Sequence, residues 1–272
     1  MNRQLIVFTT DFGLSDPYVG MMKGVIKKIC PGAEIVDLRN EIEPQNIKQA
    51  AFALHTAVPY FPDGTIFLTV VDPGVGTDRK AIAFKAGENY YIAPDNGLLS
   101  YIISGYDINS IYSLTNQKYH LESVSSTFHG RDIFAPVAAH IANGVELNEL
   151  GEKINHDTLV KLPHPQCFLD TQGIWHGEVL HIDRFGDILT SLNSEILGII
   201  KSGSKKRDLR WVIETADIKI NNLSSTFGDV KSREYVGFIG SSGYLEIGLR
   251  DGNAAAEAEI SIGQNVYAYH IT

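Results

Sequence analysis

Two cysteines, Cys30 and Cys167, are all that the 272-residue chain contains. They are far apart, and neither sits in a CxxC or histidine-rich setting. That argues against a disulfide framework and a cysteine-bound zinc, and a reducing cytoplasm is the expected location. Long hydrophobic runs are also missing. The opening stretch MNRQLIVFTTDFG is continuously apolar only from Leu5 to Phe8, too short for a signal peptide or membrane span. Basic residues are the minority, 23 against 32 acidic, for a net charge of −9. Nucleic-acid affinity comes mainly from neutralised phosphates, so that class of partner is disfavoured. The acidic balance suits a cationic ligand, although charge of this sign commonly serves solubility alone. No GxSxG elbow and no GxxxxGK[ST] loop occur, which leaves serine acyl transfer and P-loop chemistry without support. The local ligand pairs HxH, HExxH and DxD are absent too.

What is present is enough apolar sequence, 44% of residues, for one large or two modest cores. Leu5 to Phe8 reads as a first strand. A helix follows, with Asp16 as N-cap, Pro17 at its first position, and Tyr18, Met21, Met22, Val25, Ile26 and Ile29 on one face. Ala33 to Leu38 reads as a strand, Ile47 to Tyr60 as a helix, and Gly64 to Val71 as a strand buried on both sides. This βαβαβ order predicts a parallel sheet with helices on its faces. Ala81 to Lys85 and Tyr90 to Ile92 flank Gly87-Glu88-Asn89, a hairpin signal.

Near Leu162-Pro163-His164-Pro165 the helical period disappears. Short strands are expected from there on, among them Gly177 to Ile182, Tyr244 to Leu249 and Glu257 to Ile262, separated by Gly, Asn and Asp turns. The predicted fold is an α/β N-terminal domain with a largely parallel central sheet over residues 1–162. An all-β barrel domain over residues 170–272 completes it.

The chemistry concentrates at strand ends. Asp72 ends the buried strand, where open α/β sheets place their ligand crevices. Pro73, Gly74 and Gly76 turn the chain, and Arg79 follows seven residues later. An Asp/Arg pair on two limbs of such a loop is either catalytic or a loop-closing salt bridge. Asp11 and Asp95 end other strands of the same sheet, and His129 opens a helix beside Gly130 and Arg131. Asp11 could equally cap a turn, and His129 could be structural. In the second domain Asp183-Arg184-Phe185-Gly186-Asp187 can be read as an ordinary hairpin turn. A divalent-metal hydrolase remains a possible reading of the Asp and His residues, with sensitivity to chelator as its signature.

Six segments, taken in order, resemble a known family. They are TDFGLSDPYVGMMKGVI, VDPGVGTDRK, APDNGLLS, TFHGRDIFAPVAAH, HIDRFGDILTSL and SSGYLEIGLRDGNAAA. Together they are similar to the S-adenosyl-L-methionine hydrolase (adenosine-forming) family, also called the SAM hydroxide adenosyltransferase family, which is related to fluorinases and chlorinases. The resemblance implies a homotrimer with sites at subunit interfaces. It also implies cleavage of S-adenosyl-L-methionine by water to adenosine and methionine, with no metal or cofactor. Carried over by motif, Asp72, Arg79 and His129 form the catalytic triad. Asp11 would hold the ribose hydroxyls, and Asp183 the methionine amine with Phe185 close by. Phe227, Ser241 and Glu246 would lie on the adenine side. The halogenase branch carries a tyrosine where Asp72 stands and Tyr-Ser where His129-Gly130 stand. The resemblance therefore places this chain on the water-using side, with a chlorinase-like transferase or a non-catalytic binding module as the rival readings. One departure is Asp187, where the family pattern has asparagine. A carboxylate accepts but cannot donate as an amide does.

Overall fold

The computed structural model describes residues 4–199 and 210–271, in two compact units, Met1–Leu162 and Pro163–Thr272. In the first unit the strands are β1 (Leu5–Thr10), β2 (Glu34–Arg39), β3 (Ile66–Val70), β4 (Ala81–Ala86), β5 (Asn89–Pro94), β6 (Ile111–Ser113) and β7 (Lys153–Ile154). Its helices are α1 (Tyr18–Ile29), α2 (Ile47–Ala57), α3 (Ser100–Gly105) and α4 (Ala135–Ala142). The sheet order is β2-β1-β3-β5-β4-β6-β7.

The pairs β1/β2, β1/β3 and β3/β5 are parallel, whereas β4/β5, β4/β6 and β6/β7 are antiparallel. The sheet is thus mixed rather than largely parallel. The physical reason lies in the connection after β4. Gly87 takes φ +56° in the two-residue turn before β5, and a tight hairpin can join only antiparallel neighbours.

Alternation along the central strands fills two cores. Ile6, Phe8, Ile66 and Leu68 face one way, with Met22 and Ile26 of α1 and Ala138 and Ile141 of α4. Val7, Phe67 and Tyr91 face the other, with Leu54 of α2 and Ile102 of α3. Helix α1 corrects part of the expected stripe: Val19, Met22 and Ile26 are buried, while Tyr18 and Met21 are each 44% exposed. Pro17 occupies its cap position and no side chain caps the helix, so Asp16 does not act as N-cap.

The second unit holds β8 (Cys167–Leu169), β9 (Ile174–Ile182), β10 (Ile188–Asn193), β11 (Arg210–Thr215), β12 (Ile218–Asn221), β13 (Tyr235–Ile239), β14 (Tyr244–Leu249) and β15 (Asn265–Ile271). Its ladders are antiparallel in the order β12-β11-β15-β9-β10-β14-β13, with β8 pairing β9. A bridge between Leu223 and Gly237 joins the two ends of that series, giving a nearly closed barrel-like sheet around Ile188, Ile213, Leu245 and Val266. The stretch expected as a strand from Glu257 to Ile262 is not one. It begins on the last residue of the short helix α5 (Ala254–Glu257), capped by the Asn253 side chain on Ala256 N–H. Three consecutive alanines favour helix, and an Asn cap fixes where it begins.

Candidate active site

The parallel register of β1 and β3 pairs Thr9 with Thr69 and Thr10 with Val70. Asp11 and Asp72, one and two residues further on, therefore leave the sheet on the same rim. The chain then turns back through Val75 N–H to Asp72 O and Thr77 N–H to Gly74 O. Gly74 has the aliphatic stem of Arg79 against it, 3.2 Å from the place a Cβ would occupy. This turn returns Arg79 to Asp72. Arg79 Nε lies 2.9 Å from both carboxylate oxygens, and its Nη2 also donates to Oδ2. Both side chains are nearly buried, 10% and 6% exposed. The Phe134 ring backs the guanidinium at 5.2 Å.

His129 reaches the same guanidinium from a different part of the chain. Its Nδ1 is 2.9 Å from Arg79 Nη2. Guanidinium nitrogens only donate, so Nδ1 is the acceptor and the neutral ring carries its proton on Nε2. Burial and then the Arg79 charge lower the His129 pKa below its ordinary 6.5, against the opposing pull of Asp72 and Asp132. The imidazole is thereby held as a neutral donor through Nε2. Asp11 accepts from Gln45 N–H at 2.8 Å. Its pKa is raised by burial, with the Asp72 charge adding to the rise over the opposing bonds from Gln45 and its own backbone. The structure thus brings Asp72, Arg79 and His129 into direct contact and sets Asp11 within the field of Asp72.

Asp95 is not part of that cluster. It is buried and accepts from Val160 N–H at 3.0 Å. Its neighbour Asn96 has a function the sequence did not suggest, since its Nδ2 donates to Val71 O at 2.8 Å and pins the residue before Asp72. The polar APDNG stretch was the available signal. A second feature missed in the sequence is the close approach at Gly76, which takes φ +79° with Ser126 O 2.5 Å from the place of its Cβ. The loop carrying Asp72 and the loop carrying His129 touch backbone to backbone there.

On the barrel-like unit, Asp183 organises its own turn. Its Oδ1 accepts from Phe185 N–H at 2.8 Å and from Asp187 N–H at 2.9 Å. Phe185 stands 76% exposed. Asp187 and Phe227 pack over Gly248, and a recess of about 460 Å³ is lined by Phe185, Asp187, Phe227 and Arg250. Burial and then the Asp183 charge raise the Asp187 pKa to about 6. Burial, then Asp187 and Asp183, raise Glu246 to about 7. The Asp183 charge thus acts on Asp187, and the Asp183 and Asp187 charges act on Glu246. The Glu246 carboxylate lies where a Cβ on Gly240 would fall. Ser241 sits beside it in the turn closed by Gly243 N–H to Gly240 O. A larger recess of about 580 Å³, around Lys23, Lys27 and Gly32, contains none of the candidate residues. Among the described residues no group of three or more His, Cys, Asp or Glu side chains is arranged to hold a metal ion.

Fold and site define a two-domain protein, α/β followed by antiparallel β, whose first domain carries an Asp–Arg pair between two strands joined by a His from a helix start. Sequence profiles carry this further. The SAM hydroxide adenosyltransferase N-terminal domain matches residues 6–151, and the C-terminal domain of the same name matches residues 177–267. The chain belongs to the SAM hydroxide adenosyltransferase family. It is 36% identical over 269 residues to the (R)-S-adenosyl-L-methionine hydrolase of Thermus thermophilus, covering 96% of this chain and 98% of that protein. A protein of the same description from Salinispora tropica is 37% identical, with 92% of each chain covered. A fluorinase of an Actinoplanes species is more distant, 29% identical over 89% of this chain and 90% of its own. Among solved structures, an uncharacterised conserved protein from Thermotoga maritima superposes with a TM-score of 0.88 at 35% identity, covering 97% of this chain and 99% of that one.

Proposed function

We propose that the protein hydrolyses S-adenosyl-L-methionine to adenosine and L-methionine, by in-line attack of water at ribose C5′ and without a metal or cofactor. One observation carries the reading: Asp72, Arg79 and His129 are hydrogen-bonded into a triad whose neutral imidazole keeps one N–H free of Arg79. The hydrolase descriptions of relatives at 34–37% identity support the substrate and the reaction.

The chemistry follows from the side chains. The sulfonium leaves as neutral methionine and needs no acid, so the difficulty lies with the nucleophile. Arg79 stays protonated and places a fixed positive charge where hydroxide character develops. His129 donates through Nε2 and orients the attacking oxygen. Asp72 holds Arg79 rigid through both carboxylate oxygens, which limits reorganisation during the reaction. A new O–C5′ bond forms as the C5′–S bond breaks, and one proton is released to solvent. The Asp72 carboxylate neutralises the Arg79 guanidinium, so the pair offers a halide no net positive charge to hold it.

In this reading the α/β unit carries the catalytic loops and Asp11 receives the ribose hydroxyls. The barrel-like unit supplies Asp183 for the methionine amine, with Phe185 and Asp187 beside it and Phe227, Ser241 and Glu246 toward the adenine. A homotrimer with its sites at subunit interfaces, working in the cytoplasm, completes the proposal. Its supports are the family resemblance and the absence, among the described residues, of any helix long and apolar enough to cross a membrane.

The test is a chromatographic product assay with S-adenosyl-L-methionine, run with and without chelator and with and without chloride. Adenosine and methionine in equal amounts, unaffected by chelator, are expected. 5′-Chloro-5′-deoxyadenosine would point to halide transfer, binding without turnover to a sensing module, and loss of activity in chelator to a metal hydrolase.

A further inference from the structure

Asp132 is a completely buried carboxylate, 0% exposed, three residues after His129, and the chemistry above does not use it. Arg131 Nε donates to its Oδ1 at 2.6 Å and Nη2 to its Oδ2 at 3.0 Å, while Ser125 N–H donates to Oδ2 at 2.9 Å. The Ser125 hydroxyl accepts from Phe128 N–H at 3.0 Å. Residues 125–132 thus close into a loop around one buried charge, with His129 on its rim.

Further contacts brace the loop. Leu121 N–H donates to Asp132 O at 2.9 Å. The Arg131 guanidinium lies 5.0 Å from the Phe128 ring, and that ring meets Phe12 and Tyr18 edge-on. Gly130 is held at van der Waals limit, with Phe12 and Met22 atoms 3.2 Å from its missing Cβ. The turn Gly130–Phe134 is π-helical, with the wider hydrogen-bond spacing that recurs at functional sites.

We propose that Asp132 is the positioning residue of His129: its carboxylate ties Ser125, Phe128 and Arg131 into the loop that sets the imidazole nitrogen against Arg79. The inference rests on the reading of His129 as part of the hydrolytic triad. A carboxylate serving only as the first-turn partner of a helix would contribute to stability alone. A positioning residue controls geometry, and a misplacement of about 1 Å at a reacting group can cost roughly a hundredfold in rate. The charge matters as well. The groups that face His129 are Arg79 and Asp72 from the β3–β4 loop, Asp132 from its own turn and His120 from the preceding segment. Neutralising Asp132 removes one of the two negative charges that favour the imidazolium.

The experiment uses Asp132→Asn and Ser125→Ala in the full-length protein beside wild type. It reads kcat and KM across pH, together with 15N chemical shifts of His129 in histidine-labelled protein. Asp132→Asn is expected to lower kcat about a hundredfold with KM within about threefold of wild type. It should move the His129 titration to lower pH and weaken the preference for the Nε2–H tautomer. Ser125→Ala keeps the charge and should lower kcat about tenfold without moving the titration. Wild-type kcat and unchanged His129 shifts in Asp132→Asn would overturn the proposal. Should that variant not fold, wild-type kinetics in Ser125→Ala would do so. If wild type itself releases no adenosine, the hydrolase reading fails instead, and the 15N shifts still decide whether Asp132 places His129.

Discussion

The α-carbon of Gly76 and the carbonyl of Ser126 approach so closely that a β-carbon at position 76 would lie 2.5 Å from the oxygen. At this point the loop bearing Asp72 and Arg79 meets the loop bearing His129. Replacing Gly76 by alanine meets two penalties, the contact itself and the positive φ of 79°. Strain of this kind is worth about 1–3 kcal/mol. Gly76→Ala is expected to lower kcat at least tenfold by parting the loops, with a fall in melting temperature of a few degrees. Steady-state kinetics and calorimetry check it, and unchanged kcat would show that the two loops need no contact.

Arg79 donates to a carboxylate and an imidazole at once. Arg79→Ala is expected to reduce kcat by about 10²–10³ with substrate affinity largely retained. Arg79→Lys should rescue little, because a point ammonium cannot span both partners as a planar fork does. Wild-type-like kcat in the alanine variant would remove Arg79 from the mechanism.

The pH dependence on the acid side follows from His129. Its pKa lies below the ordinary 6.5, so the ring charges at a lower pH than a free imidazole does. The rate kcat should be level at neutral pH and fall on the acid side, with its midpoint below 6.5. The folding stability that comes from burying a neutral ring follows the same course, present above 6.5 and lost as pH falls through the lower folded value. A midpoint at or above pH 6.5 would contradict this assignment.

The carboxylates of the barrel-like unit predict a separate effect, on KM. Asp187 and Glu246, raised to about 6 and about 7, become charged only as pH climbs through that range. Ionising them against their raised values costs fold stability as pH rises, and a bound cation offsets that cost. KM for the cationic substrate should therefore fall from about pH 5.5 to about pH 7.5. Asp187→Asn should remove the lower step. A flat KM profile in wild type would detach this acidic group from binding.

Much of this was legible in the chain because strand ends announce themselves. Buried apolar runs closed by Asp, Pro and Gly located β1 and β3, and with them Asp11 and Asp72. Sequence spacing could not show the sheet direction beyond β5, since that depends on which neighbours the strands find. Ile260 and Ile262 alternated like strand residues, yet Asn253 and three alanines set a helical turn first. Met21 lay at helical spacing from Tyr18 and Val25 and still faced outward. The inward turn of Asp132 was hidden for a different reason: an acidic residue near a helix start is ordinarily solvated, and only the backbone path of residues 125–132 buries it.

Asp72 and Arg79 cancel each other's charge, and His129 adds none while neutral. The triad is an electrically balanced group, and the reactant proposed for it is solvent, already present at a concentration no solute can reach. Such an enzyme has no second reactant to wait for. Its kinetics should be those of a single-substrate reaction, indifferent to which anions surround it.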